Sequence, residues 1–310
     1  MNGDVASSKL DEMKVLVTGA SGYLGKHLCH RLAEDGWDVR GLSRSPKPDC
    51  LPMVEWFQGD ICDVEVTQRA AQHVCCIFHL AGLPLGLCTQ HPEQALSVNV
   101  LGTFHILNAA QRQEVEKFIL ASSGQVYGGG LPIPNKETQN PIPNSPYAAS
   151  KLSAEAWCIM AAQSYALPVT ILRLFNVYGP ALDGSPRPTV ESIFLQRLMQ
   201  GKKPQILDHI QSGRDFIYVD DVIMAFLLAL VSPAHPSPIN IGSGVLTTFK
   251  ELAQIAARVL GSDLSPEIIE TDSKPVRFQA DTALAQQTLG FKAEVTLEDG
   301  LRKYVEKINL

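Results

Sequence analysis

The sequence predicts an α/β fold: a doubly wound parallel sheet with helices on both faces, followed by a smaller C-terminal α/β lobe. Three observations lead there. Short apolar, β-branched runs alternate with helical patterns through roughly the first 180 residues, the texture of repeated β-α-β units. A glycine-rich turn follows the first of those runs directly, as in a Rossmann-type sheet. Beyond residue 180 the alternation loosens and a second lobe begins.

The elements follow in order. MKVLVTGA (13–20) is the first strand, and GYLGKHLCHRLAEDG is the helix after it, with Leu24, Leu28 and Leu32 at helical spacing. DVRGLSR (38–44) and VEWFQGD (54–60) read as the second and third strands. The helical stretch VTQRAAQHV leads to a fourth strand, CIFHLAG (76–82). A loop with Pro84 and Pro92 opens a helix at about 93–112, and KFILASS (117–123) is the fifth strand. A Pro/Asn-rich loop (131–146) precedes the long helix SPYAASKLSAEAWCIMAAQSYA. PVTILRLFNVYG (168–179) reads as one continuous sixth strand, and the segment 214–244 is expected to return to the main sheet. The resulting division is a disordered tail at 1–12, a main domain at 13–175 plus roughly 214–243, and a smaller lobe at 176–213 plus 244–310.

Composition narrows the function. The formal net charge of −6 argues against a general nucleic-acid or anionic-membrane surface. No run approaches the roughly 18 apolar residues that span a bilayer, and the polar, acidic N-terminus MNGDVASSKLDE does not read as a signal peptide. The 7 cysteines are odd in number and form no CxxC pair, so neither a disulfide framework nor a zinc site is expected. Reduced cysteines suit a cytoplasmic protein.

The turn VTGASGYLG supplies Gly19, Gly22 and Gly25 at the start of a helix. The first glycine permits the tight turn, the second lets backbone approach a pyrophosphate, and the third lets helix and strand pack closely. The free N–H groups of the helix N-terminus then face the anion. A dinucleotide is therefore expected, NAD or NADP. An acid about 20 residues on would bind the ribose 2′-hydroxyl of NAD. Here that position falls on Ser43, followed by Arg44, which leans towards the 2′-phosphate of NADP. Arg44 can also be a solvated loop residue or stack on adenine. Asp60, at the end of the third strand, suits the adenine edge or the cap of the next helix.

Tyr147 and Lys151 lie four apart at the start of the long helix, on one face. An ammonium beside the phenol favours the phenolate and lowers its pKa from about 10. Such a tyrosine exchanges a proton with an alcohol or ketone, as hydride transfer requires. Ser122 and Ser123 end the preceding strand, at the sheet edge where ligands bind in open α/β folds.

These motifs, with HLAG (79–82), NVLGT (99–103), SSGQVYG, RLFNVYGP (173–180), RDFIYVDDV (214–222), NIGSG and VRFQADTALAQQTLGF (276–291), resemble the extended short-chain dehydrogenases/reductases of the nucleotide-sugar epimerase/dehydratase group. The resemblance runs over nearly the whole chain. It implies Ser123 as the hydroxyl that binds the reacting oxygen, Tyr147 as acid/base, and Lys151 as the group that tunes it and holds the nicotinamide ribose. Ser122 would give backbone support or a nicotinamide contact, and Asn99 would steady the active-site helix. Ser21, Tyr23, Leu24, Ile61, Leu80, Ala81 and Gly82 would complete the cofactor site. Arg214 and Arg277 would grip the diphosphate of a nucleotide-sugar, and Asn176 the sugar or its phosphate. Ion pairs of Arg214 with Asp215 or Asp220, and of Arg277 with Asp281, are the structural alternatives. The segment LDHIQSGRDF departs from the Gly-rich pattern usual before RDF.

In the resembled dehydratases an acid pair aligns with Gly124 and Gln125, and in the decarboxylating enzymes a glutamate stands at Gln125. An amide neither gives nor takes a proton near neutral pH. The expected chemistry is therefore hydride transfer without elimination: a 4-epimerase first, an NADPH-dependent 4-ketosugar reductase second, and a non-catalytic NADP-binding regulator last. The same resemblance implies a homodimer through the helices 93–112 and 147–166, whose apolar residues (Leu96, Val100, Phe104, Leu107; Trp157, Met160, Ala161) can alternatively be buried against the sheet.

Overall fold

The computed structural model describes residues 14–185, 187–269, 271 and 274–308, so the 1–12 tail lies outside the described residues. The first half runs β1 (Lys14–Thr18), α1 (Tyr23–Glu34), β2 (Asp38–Ser43), β3 (Glu55–Gln58), α2 (Val64–Ala70), β4 (Cys76–His79), α3 (Leu85–Gln90), α4 (92–112) and β5 (Lys117–Ser123). Then come α5 (Pro146–Tyr165), β6 (Val169–Leu174), β7 (Asn176–Tyr178), α6 (Val190–Met199), β8 (Gln205–Leu207), β9 (Gly213–Tyr218) and α7 (Val219–Val231). The chain closes with β10 (Ile239–Ile241), β11 (Leu246–Thr248), α8 (Phe249–Val259), β12 (Glu267–Ile269), α9 (Ala283–Leu289) and α10 (Leu297–Ile308).

Seven strands form one parallel sheet in the order β10-β6-β5-β4-β1-β2-β3. Alternate residues feed two cores: Val15, Val17, Phe78 and Ile119 face one layer of helices, and Leu16, Ile77, Phe118 and Leu120 face the other. Burial on both faces is why these strands read as continuous apolar runs rather than as alternating ones. The strand order reverses between β1 and β4, so the crevice for a ligand opens at the C-terminal ends of those strands.

Two expectations are corrected. The run 168–179 is two strands. β6 ends at Leu174, Phe175 N–H donates to Ile241 at 2.9 Å, and β7 leaves for a separate three-stranded sheet, β11-β9-β7. The segment 214–244 accordingly returns to the main sheet only through β10, because β9 pairs with β7 and β11. β8 and β12 make a further parallel pair.

Local chemistry fixes the ends nearest the site. Ser145 caps α5 by accepting from Ala148 N–H, with Pro146 at the first helical position, and this sets where Tyr147 begins. Asp63, rather than Asp60, caps α2. Asp60 instead accepts from the Cys62 N–H at 2.9 Å, so its side chain stays at the end of β3. Among the described residues no helix is long and apolar enough to cross a membrane.

Candidate active site

The glycine turn is packed too closely for any side chain. A Cβ on Gly19 would stand 2.7 Å from the Ala81 nitrogen, and one on Gly25 would stand 2.2 Å from the Gly19 carbonyl oxygen. The crevice above it has two parts. One, of about 190 Å³, is lined by Gly19, Ser21, Gly22, Ser43, Arg44, Asp60, Ile61, Leu80, Ala81 and Gly82. The other, of about 420 Å³, is lined among others by Tyr23, Leu24, Gly25, Ser122, Ser123, Tyr147 and Lys151. The backbone cradle and this pair of cavities suit a dinucleotide. Ser21 Oγ and Ser43 Oγ share a 2.5 Å hydrogen bond, so the end of β2 presents hydroxyls and no carboxylate.

α4 is not a regular helix. After a turn at Pro92–Gln94 it becomes a π segment at Ala95–Leu101, then an α-helix at Gly102–Arg112. A π segment often marks a functional site, because it re-aims a side chain. Here it aims Asn99 inward. Its Oδ1 accepts from Leu83 N–H at 2.7 Å, and its Nδ2 donates to Ser150 Oγ at 2.9 Å, tying the β4 loop to α5 between Tyr147 and Lys151. A Cβ on Gly82 would lie 3.1 Å from Asn99 Oδ1 and 3.4 Å from Lys151 Nζ, which explains the small residue there. Behind this, His79 bridges Thr18 at 2.7 Å and Thr103 at 2.9 Å, and burial holds its pKa down at about 3. It is therefore a neutral structural link.

Ser123, Tyr147 and Lys151 line one cavity. Ser123 Oγ accepts from Gln125 N–H at 3.2 Å. Burial pushes the Tyr147 phenol above its ordinary pKa, and hydrogen bonding with Ser123 pulls it back. The expected lowering of the phenol by Lys151 is absent from this arrangement. The ammonium sits 5.9 Å from the ring centroid and donates to the Ala121 carbonyl at 2.8 Å. Burial lowers Lys151 itself to about 8, against the opposing influence of Cys88 and Glu155. The Ser122 hydroxyl donates to Glu155 at 2.5 Å, which makes it part of the supporting structure.

A third cavity of about 400 Å³ adjoins Ser123 and Tyr147 and is lined by Gln125, Asn176, Arg187, Glu191, Arg214 and Phe278, among others. The amide of Gln125 is therefore in the reacting neighbourhood. Gly124 has little room for a longer side chain, because its Cβ would stand 3.1 Å from the Phe175 ring. Arg214 lies 5.3 Å from the Phe249 centroid and 5.1 Å from that of Phe278, and its Nη1 donates to the Gly213 and Val276 carbonyls. Asp215 is engaged elsewhere, accepting from Ser243, Gly244 and Ala280, so the Arg214–Asp215 alternative is not formed. Arg277 is exposed and is not among the residues that line the cavity; its backbone N–H bonds Gly129.

Two further residues belong here. Arg187 lines both this cavity and the cofactor crevice, with its guanidinium 3.2 Å from the Tyr23 ring centroid. Glu191, in the first turn of α6, is buried, and burial raises its carboxyl above the usual range. Neither stands in a motif. Arg187 sits in a Pro/Gly loop and Glu191 reads as an ordinary first-turn acid, so only the fold reveals them.

The chain matches the family described as the NAD dependent epimerase/dehydratase family over residues 15–242. A UDP-glucose 4-epimerase of Mycolicibacterium smegmatis is 33% identical over 306 residues, covering 95% of this chain and 98% of that protein. A dTDP-D-glucose 4,6-dehydratase of Mus musculus is 29% identical, covering 94% of this chain and 88% of that protein. Among solved structures, the UDP-glucose 4-epimerase of Thermotoga maritima with UDP-glucose superposes with a TM-score of 0.88 at 32% identity, covering 96% of this chain and 99% of that one. With its seven-stranded parallel sheet, its backbone cradle and its Ser–Tyr–Lys cluster, this chain belongs to the NAD dependent epimerase/dehydratase family of extended short-chain dehydrogenases/reductases.

Proposed function

We propose that the protein is a nucleotide-sugar 4-epimerase that oxidises the C4 hydroxyl to a transient ketone and returns the hydride to the other face. The observation that carries this reading is the composition of the cavity beside Ser123 and Tyr147. Its lining presents the Ser123 hydroxyl, the Tyr147 phenol and the Gln125 amide, together with the guanidinium groups of Arg187 and Arg214 and the Glu191 carboxyl. Bound NAD would accept and return the hydride. Tyr147 takes the C4 hydroxyl proton and gives it back, Ser123 holds the C4 oxygen, and Lys151 would hold the nicotinamide ribose. Elimination of water would need a carboxyl on the turn after Ser123, where Gly124 and Gln125 stand. Arg214 and Arg187 suit a diphosphate, since guanidinium offers a planar fork of donors. Asn176, in the same lining, is assigned to the sugar. All 7 cysteines are free, which suits a cytoplasmic enzyme.

One observation favours a second reading. Ser43 and Arg44 line the adenosine cavity where an acid would select NAD. NADP binding and reduction of a nucleotide-4-ketosugar follow from that pair. Incubation with UDP-glucose and NAD, followed by chromatography for UDP-galactose, separates the two. The epimerase interconverts the sugars with no net change in cofactor, and Tyr147→Phe lowers kcat by about 10²–10⁴-fold. A protein that interconverts no UDP-hexose pair and oxidises NADPH only with a ketosugar is the reductase.

A further inference from the structure

Below the reacting residues lies a buried ion pair with no part in the chemistry so far. Glu155 stands one turn beyond Lys151 on α5, and the spacing places both on one face. Its Oε1 accepts from Ser122 Oγ at 2.5 Å and from Arg173 Nε at 2.9 Å. Its Oε2 accepts from Arg173 Nη2 at 2.7 Å. Arg173, on β6, is the register partner of Ser122 on β5, and its Nη1 donates to Tyr127 Oη at 2.8 Å. Tyr127 Oη in turn donates to Asn240 on β10 at 2.9 Å. Glu155 is 1% exposed and Arg173 4%.

Desolvating two charges costs several kcal/mol each, and a well-packed apolar pair of equal volume often serves stability as well or better. Stability alone therefore does not account for the pair. Its placement does. Lys151 holds the backbone of Ala121, Glu155 holds the side chain of Ser122, and the next residue is Ser123. The two grips come from successive turns of one helix. Lys151 is buried, at 7% exposed, and the titratable groups that bear on it are Cys88 of α3, His79 of β4, and Tyr147, Glu155 and Cys158 of α5. His79 is neutral, and within this shell Cys88 and the Glu155 side chain, which Arg173 grips with two prongs, oppose the lowering of Lys151 by burial.

We propose that the Glu155–Arg173 pair is a positioning device: it fixes the Ser122–Ser123 end of β5 and keeps the enclosed Lys151 ammonium charged. It rests on the reading of Ser123, Tyr147 and Lys151 as the reacting residues. Glu155 and Arg173 touch neither substrate nor cofactor in this scheme and act through their neighbours.

The test uses Glu155→Gln and the double variant Glu155→Gln/Arg173→Met, which removes the pair as a neutral whole and leaves no buried charge unpaired. The readout is the near-ultraviolet phenolate titration of Tyr147 in the NAD complex, with Tyr147→Phe as the blank and no sugar present. Both variants are expected to raise the phenolate midpoint by about one pH unit, because a displaced end of β5 takes away the Ser123 hydrogen bond that lowers the phenol, and to lower kcat near neutral pH by roughly 10-fold. The double variant is expected to melt closer to the wild type than Glu155→Gln does. A double variant that folds and titrates Tyr147 as the wild type does overturns the proposal and leaves the pair a packing element. Because the titration needs no substrate, a shifted midpoint in a protein that epimerises no sugar upholds the pair's role and refutes only the assigned reaction.

Discussion

In the proposed mechanism Lys151 acts as an ammonium, in a place that disfavours charge. Its pKa is lowered to about 8 by burial, so the sign is fixed: the ammonium is present below about 8 and lost above it. The profile of kcat/KM against pH is therefore expected to fall on its alkaline side near 8, and Lys151→Met is expected to remove that limb along with most of the activity. An alkaline limb that stays flat to pH 10 in the wild type contradicts the assignment, since an unperturbed lysine titrates at about 10.4. Arg187 makes a second residue-scale prediction. It joins the cofactor and substrate cavities, so Arg187→Ala is expected to raise KM for the nucleotide-sugar by roughly 10–100-fold, the value of a charge-assisted contact, with a smaller effect on kcat. A variant with unchanged KM argues that Arg187 only covers Tyr23. These residues differ in how legible they are. Ser123, Tyr147 and Lys151 can be read because strand end and helix start are themselves readable. Arg187 cannot, because a loop carries no periodicity to say which way it faces.

At the scale of elements, the π segment of α4 does the most work. Its extra residue per turn swings Asn99 out of the helix surface and into the gap between the β4 loop and α5. Asn99→Ala would leave the Leu83 N–H and the Ser150 hydroxyl without these partners inside a buried layer. A stability loss of about 1–3 kcal/mol is expected, read as a lowered melting temperature, together with a fall in kcat larger than any rise in KM. A variant with normal melting and normal kcat shows that the segment is a packing accommodation. Periodicity predicts a helix at 93–112 but cannot reveal one widened turn within it. The same blindness explains β7. The run 168–179 stays apolar across Phe175, and an apolar run does not say when a strand changes sheet. β9 misleads likewise, because its partners β7 and β11 are fixed by lobe packing and not by its own pattern.

For the whole molecule, the question left by the fold is what covers the outside of α4 and α5. The sequence shows wide apolar faces on both, and burial against the sheet would explain either. The structure divides them. Ile106, Leu107, Ala154, Cys158 and Ala161 turn inward to the core. Leu96 (63% exposed), Leu101 (46%) and Trp157 (37%) turn outward. With Val100 and Phe104 they bound an apolar groove of about 240 Å³, in which the Phe104 and Trp157 rings stand 4.9 Å apart. The sheet is therefore already satisfied by one face, and the other remains as an apolar patch at the surface. A second copy of the chain placing the same helix pair against it would form a self-complementary, two-fold interface. Sedimentation velocity of the wild type is expected to give a dimer, and Leu96→Asp/Trp157→Glu a folded monomer with the same far-ultraviolet circular dichroism. A wild type that sediments as a monomer at micromolar concentrations removes the dimer. Activity then carries further information. Tyr147 and Lys151 sit on α5, the helix that bears Trp157, so loosening that face is expected to lower kcat before it affects cofactor binding, since the glycine cradle on β1 and α1 lies outside the interface.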